Sequence, residues 1–151
     1  MKYRLVLVAL AIGVAFQAYA DDRSVPGSTQ PTVPRLGDLM GMTQLRHIKL
    51  WYAGNERNWN LANYELEQIK YSFQDTMAFY PGLPLANMTT LAQPAERIGE
   101  AIRAKDKAKF TKAFTELTSA CNACHESQGY GFIVIKVPNS SPFSDELFPP
   151  K

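Results

Sequence analysis

Phe110, Phe114, Leu117, Cys121 and Cys124 follow one another at three- and four-residue steps, and His125 stands four after Cys121. That rhythm matches one face of an α-helix. The stripe starts as ordinary apolar core and ends in two thiols and an imidazole. Its last five residues, Cys121-Asn122-Ala123-Cys124-His125, read C-x-x-C-H, the attachment pattern for a c-type haem. On a helix the thiols stand at i and i+3 and the imidazole at i+4, so all three share a face. Each thiol can add across a haem vinyl group, sulfur to one carbon and hydrogen to the other, to leave a thioether. The histidine supplies an axial nitrogen to the iron.

Cys121 and Cys124 are the only cysteines of the chain, and three other uses compete with haem. A redox dithiol belongs in a βαβ setting, and no such strand pattern is present. A zinc site wants four ligands, and only His47 remains as a further nitrogen donor. A disulfide across one helical turn leaves His125 without a task. One covalent haem c is the expected cofactor.

Residues 1–20 read as a secretory signal. Met1-Lys2-Tyr3-Arg4 is a short positive start, and Ala18-Tyr19-Ala20 a small-x-small cleavage site before Asp21. The twelve-residue apolar run from Leu5 to Phe16 falls short of the ~20 residues a helix needs to cross a bilayer. The alternative is an uncleaved anchor. The expected location is therefore the periplasm, with no stable membrane insertion, and haem c is attached outside the bacterial cytoplasm. Cleavage would leave 131 residues, enough for one domain with a sizeable core. The full chain has 16 basic and 14 acidic residues. Lys2 and Arg4 depart with the signal, so the remainder is balanced, and nothing suggests nucleic-acid binding.

Four helical stretches are expected in a domain spanning 36–128, after a Pro-rich lead-in at 21–35 and before an extended tail at 129–151. The first, 36–53, carries Leu36, Met40, Thr43, His47 and Leu50 and is expected to stop at Gly54. The second, 59–79, follows a cap at Asn58 and carries Leu61, Leu66, Ile69, Phe73 and Met77. The third, with Pro94 in its first turn, is expected over 94–104. The fourth begins after a cap at Asp106 and ends near Gln128, with Gly129 as the stop. Four amphipathic helices on short connections predict an all-α, antiparallel four-helix bundle with haem on the last helix. In the tail, Phe143, Leu147 and Phe148 suit wrapping the bundle, meeting a partner, or joining a second copy in a homodimer.

An all-helical chain of this size with Cys121-Asn122-Ala123-Cys124-His125 near its end resembles the class II c-type cytochromes, the cytochrome c-prime-like family. The likeness covers about 36–128. It implies Cys121 and Cys124 as thioether sites, His125 as proximal iron ligand, and a first helix facing the other side of the iron. Some relatives keep that side apolar and bind small gases, whereas others place a methionine there and carry electrons. This chain departs from the pattern in the 26 residues that follow His125.

For the sixth iron position the helical phase turns His47 inward, which would give bis-histidine iron of low potential. Met40 shares that face, and Met42 is rotated off it by about 140°. A methionine there, or an open site, are the alternatives. Arg46 is a candidate for the haem propionates, against the plainer reading of a solvated face. The basic residues around Asp106 (Arg103, Lys105, Lys107, Lys109 and Lys112) read as a solvated turn remote from Cys121. The expected function is a periplasmic carrier of single electrons that meets a redox protein or enzyme, and it is not itself an enzyme. The alternatives are a gas-binding haem protein and a peroxidase-like enzyme with His47 as distal base.

Overall fold

The computed structural model describes residues 33–150, with backbone only at 85–88. The expected signal at 1–20 and nearly all of the lead-in lie outside the described residues. The chain forms α1 (Leu36–Asn55), α2 (Trp59–Phe79), α3 (Leu85–Arg103) and α4 (Lys107–Ser127), with no strand among the described residues. Helix α1 packs mainly on α2, and α3 on α4; α2–α3 and α1–α4 contacts close the four-helix bundle. None of the described helices is long and apolar enough to cross a membrane.

The two tight connections use one device. After α1, Arg57 takes a left-handed φ of 59°, its N–H donates to the Gly54 carbonyl, and the Asn58 N–H donates to Ala53. After α3, Lys105 (φ 53°) and Asp106 repeat the pattern on Ile102 and Ala101. This paired closure satisfies carbonyls that the helix end would leave free. Asn58 and Asp106 then cap the next helix, their side-chain oxygens accepting from the N–H groups of Leu61 and Lys109. A residue that both closes one helix and opens the next forces a sharp reversal, so consecutive helices lie side by side.

Three sequence expectations are corrected here. Gly54 does not stop α1; it lies within the helix, where a Cβ would overlap the Phe110 ring of α4. The missing side chain is a notch for that ring, which Trp51 and Trp59 also flank at 6.5 and 6.1 Å between centroids. Pro94 is not in a first turn; α3 begins nine residues earlier and carries Pro94 in its interior. Leu91, Ala95, Ile98 and Ile102 remain buried through it, so packing of the apolar face outweighs the lost backbone hydrogen bond. On α2 the buried face continues from Phe73 to Thr76, and Met77, one residue out of phase, is exposed.

Helix α4 closes by the same device as α1 and α3, with Gly129 at φ 77° and the Tyr130 N–H donating to the His125 carbonyl at 2.7 Å. No helix follows. Residues 128–150 run without helix or strand and are fastened to the bundle instead. Phe148 is buried in the core, in contact with Tyr52 and Phe143. Lys49 pairs with Glu146 at 2.6 Å.

Candidate functional site

One end of the bundle holds a cavity of about 300 Å³, within the ~300–1,000 Å³ of ligand sites and mostly apolar as such sites are. Helix α1, from its start to its middle, supplies Leu36, Gly37, Met40, Gly41, Gln44 and His47 to its wall; α2 and α3 supply Phe73 and Leu91. The end of α4 supplies Cys121, Cys124 and His125, and the tail supplies Tyr130, Ile133 and Ile135. The structure therefore brings the whole C-x-x-C-H set to one cavity, as its helical spacing requires.

Neither thiol is in a disulfide. Burial, and then the neighbouring Cys124, push the Cys121 thiol up to about 12, and burial raises Cys124 as well. Redox dithiols need the opposite, a thiol held low enough to ionise. Among the described residues no three His, Cys, Asp or Glu side chains gather so as to hold a metal ion. The sulfur and nitrogen donors instead line a broad apolar space.

His125 stands in the last turn of α4. Its Nδ1 lies 2.8 Å from the Ile133 carbonyl oxygen. A carbonyl only accepts, so Nδ1 carries the proton and donates. In the neutral imidazole Nε2 then holds the lone pair. Metal-ligating histidines are prepared in this way, with the second nitrogen tied to a carbonyl or carboxylate.

His47 is arranged the other way round. The Thr118 hydroxyl donates to the Phe114 carbonyl at 2.9 Å, so its oxygen accepts from His47 Nε2–H, also at 2.9 Å. The lone pair is left on Nδ1, which is buried and has no hydrogen-bond partner. The ring lies 4.4 Å from that of Phe114 between centroids, and burial pushes the imidazole down to about 4. His47 is therefore neutral at pH 7.

Of the other expected residues, Met40 lines the cavity, whereas Met42 is exposed and absent from its wall. Arg46 is also absent from the wall. It is paired with Glu65 of α2 at 3.2 Å and lies over the Tyr64 ring.

Sequence reasoning missed four contributors. Gly37 and Gly41 stand one turn apart on α1, and a Cβ on either would enter open space. An interior glycine costs a helix about 1 kcal/mol relative to alanine; here the two leave room in the cavity. Their four-residue spacing was a readable signal. Thr118 and Asn122 had none, because their roles depend on partners 71 and 13 residues away.

Set beside known proteins, the chain matches no family model, no curated protein and no solved structure.

Proposed function

We propose that this chain is an exported monohaem c-type cytochrome that carries single electrons. The observation that carries the proposal is the joint placement of Cys121, Cys124 and His125 on one apolar cavity, with His125 Nδ1–H committed to the Ile133 carbonyl. The residues present fit the group: two unpaired thiols one helical turn apart, an imidazole with its lone pair fixed on Nε2, and an α1 face cleared by Gly37 and Gly41. Haem c when bound supplies a one-electron ferric–ferrous couple.

In this reading Cys121 and Cys124 hold the cofactor covalently and His125 presents Nε2 to the iron. The Ile133 carbonyl keeps that imidazole oriented and basic. Leu36, Phe73, Leu91 and Ile135 exclude water, which favours the less charged state of the site. Met40 on the cavity wall suits the sixth position as it stands, and His47, also on that wall, would suit it after its ring turns from Thr118. The cytochrome c-prime-like family, the periplasmic location and a periplasmic redox protein or enzyme as partner belong to the same proposal.

A second reading, a gas-binding haem protein with an open or displaceable sixth position, is favoured by one observation. His47 Nε2 is engaged by Thr118, and Nδ1 is shut within the protein, so no nitrogen of His47 is offered to the cavity.

Expression in a bacterium that matures cytochromes c tests the proposal. A haem-stained band should survive a denaturing gel and vanish in Cys121→Ala/Cys124→Ala; an unstained wild-type band refutes the haem assignment. Ferrous spectra with and without carbon monoxide then separate the two readings, since a low-spin carrier is unchanged by the gas. His47→Ala turns the iron high-spin if His47 ligates, and Met40→Ala does so if Met40 does.

A further inference from the structure

Asn122 occupies a variable position of C-x-x-C-H, yet its side chain makes two hydrogen bonds to one residue of the tail. Its Nδ2 donates to the Ile135 carbonyl at 2.8 Å, and its Oδ1 accepts from the Ile135 N–H at 2.7 Å. A carboxamide has one donor edge and one acceptor edge, as a peptide group does. It thus pairs with Ile135 as a neighbouring strand would, where a residue exchanges both backbone bonds with its opposite.

The consequence reaches His125 through chain geometry. In an extended segment, residues i and i+2 turn their backbone groups to the same side. Ile133 stands two residues before Ile135, and its carbonyl is the one that accepts from His125 Nδ1. Ile133 and Ile135 both line the cavity, Ile133 while still 43 % exposed, whereas Phe132 and Val134 are 80 and 73 % exposed and do not line it. The segment is fixed at its start by the Tyr130 N–H on the His125 carbonyl and at its end by Asn122. Between these two points the Ile133 carbonyl is held at His125.

We propose that Asn122 is a positioning residue for the iron-ligating imidazole: by clamping the Ile135 peptide it holds the Ile133 carbonyl on His125 Nδ1. This rests on the haem c reading above. A hydrogen-bonded Nδ1–H makes the axial imidazole a stronger donor and stabilises ferric iron relative to ferrous. Loss of the clamp weakens that bond and moves the reduction potential upward. Alanine at 122 leaves both thiols and the histidine in place, so the cofactor is still attached.

The test compares wild type, Asn122→Ala and Asn122→Asp as haem-loaded proteins. Three readouts are taken: the midpoint potential, hydrogen exchange at the Ile135 amide, and thermal unfolding. Asn122→Ala should raise the potential and expose the Ile135 amide. Asn122→Asp keeps the acceptor for that amide and loses the donor; its carboxylate also adds negative charge that lowers the potential, so this variant is read by exchange at the Ile135 amide, which should fall between the other two. If Asn122→Ala does not yield a loaded protein, Asn122→Leu, which also lacks both bonds and adds no charge, takes its place. A purely structural role would lower the melting temperature and leave the potential at its wild-type value; that result overturns the proposal, as does an Ile135 amide equally protected in Asn122→Ala. Absence of covalent haem in wild type is a different failure and removes the haem reading itself.

Discussion

His47 and His125 line the same cavity, and their surroundings are built from different materials. His47 lies in the middle of α1, with a ring contact to Phe114 and a hydrogen bond to Thr118, both on α4. Everything that orients it is regular helix within the bundle core. His125 lies in the last turn of α4, and the group that orients it is a backbone carbonyl of the tail. The tail that carries this carbonyl is fastened by Asn122 on Ile135, by the Tyr130 N–H on the His125 carbonyl and, farther along, by the buried Phe148 ring. The first wall can open only if helices separate. The second can open when a segment without helix or strand lifts away, and such segments unfold at lower free energy than the whole molecule. Under the proposed haem function, the His125 wall is where the chain would adjust its cofactor without disturbing its core.

Two phenylalanines of equal size put the contrast to the largest test. Phe114→Ala removes a fully buried ring between α1 and α4 and should cost about 3–5 kcal/mol of global stability. Phe148→Ala removes a buried ring from the tail and should cost the bundle much less, because the tail can detach locally. Thermal unfolding gives the first quantity, and hydrogen exchange over 133–137 shows the second as early opening. Equal losses in bundle stability would show that the tail is an inseparable part of the core, and the distinction would collapse.

The next effect belongs to the His47 wall alone. Glu65 is buried, and burial raises its carboxyl above the ordinary range while the Arg46 guanidinium opposes that rise. Arg46→Met strands the carboxylate. The cost should be about 2 kcal/mol, below the ~3–5 kcal/mol for breaking a fully buried pair, since Arg46 keeps 22 % of its side chain in water. Without Arg46 the folded carboxyl titrates higher still. The folded state then retains a proton that the unfolded state loses near pH ~4.3, so stability falls as pH rises through that interval. Denaturant titrations should show the deficit of Arg46→Met greatest near pH 7 and shrinking toward pH 5. The potential of the loaded protein and the exchange of the Ile135 amide should stay as in wild type, because neither depends on this pair.

The two walls also differed in how far the sequence disclosed them. Helices α2 and α4 were legible nearly to the residue, because Asn58 and Asp106 are cap residues whose role is local. Cys121, Cys124 and His125 were legible as a set, because the chemistry fixes their spacing within one helical turn. The end of α1 was misread for a physical reason. Glycine is the usual residue for the left-handed turn position, but Arg57 takes it here and Gly54 serves close packing against Phe110. Pro94 misled in the same sense, since a local preference gave way to burial of the α3 face. The tail could be recognised only as non-helical. Its grip on the bundle through Asn122 and Phe148 depends on long-range pairing that no local pattern encodes.

The smallest effect probes how firmly the His47 wall is set. Thr118→Val is nearly isosteric and leaves the Phe114 carbonyl and His47 Nε2–H without the hydroxyl between them. A buried donor left unbonded costs about 1–3 kcal/mol. The lower half of that range is expected, because valine keeps the packing; moving the proton to Nδ1 brings no relief, since that nitrogen is buried without a partner. His47→Phe alone removes the imidazole but leaves the Thr118 hydroxyl its bond to Phe114. The double variant should therefore be more stable than the sum of the two single losses predicts. Strict additivity would mean that Thr118 does not orient His47. In that event the two histidines differ less than their surroundings suggest, and the His47 ring is free to turn a nitrogen toward the cavity.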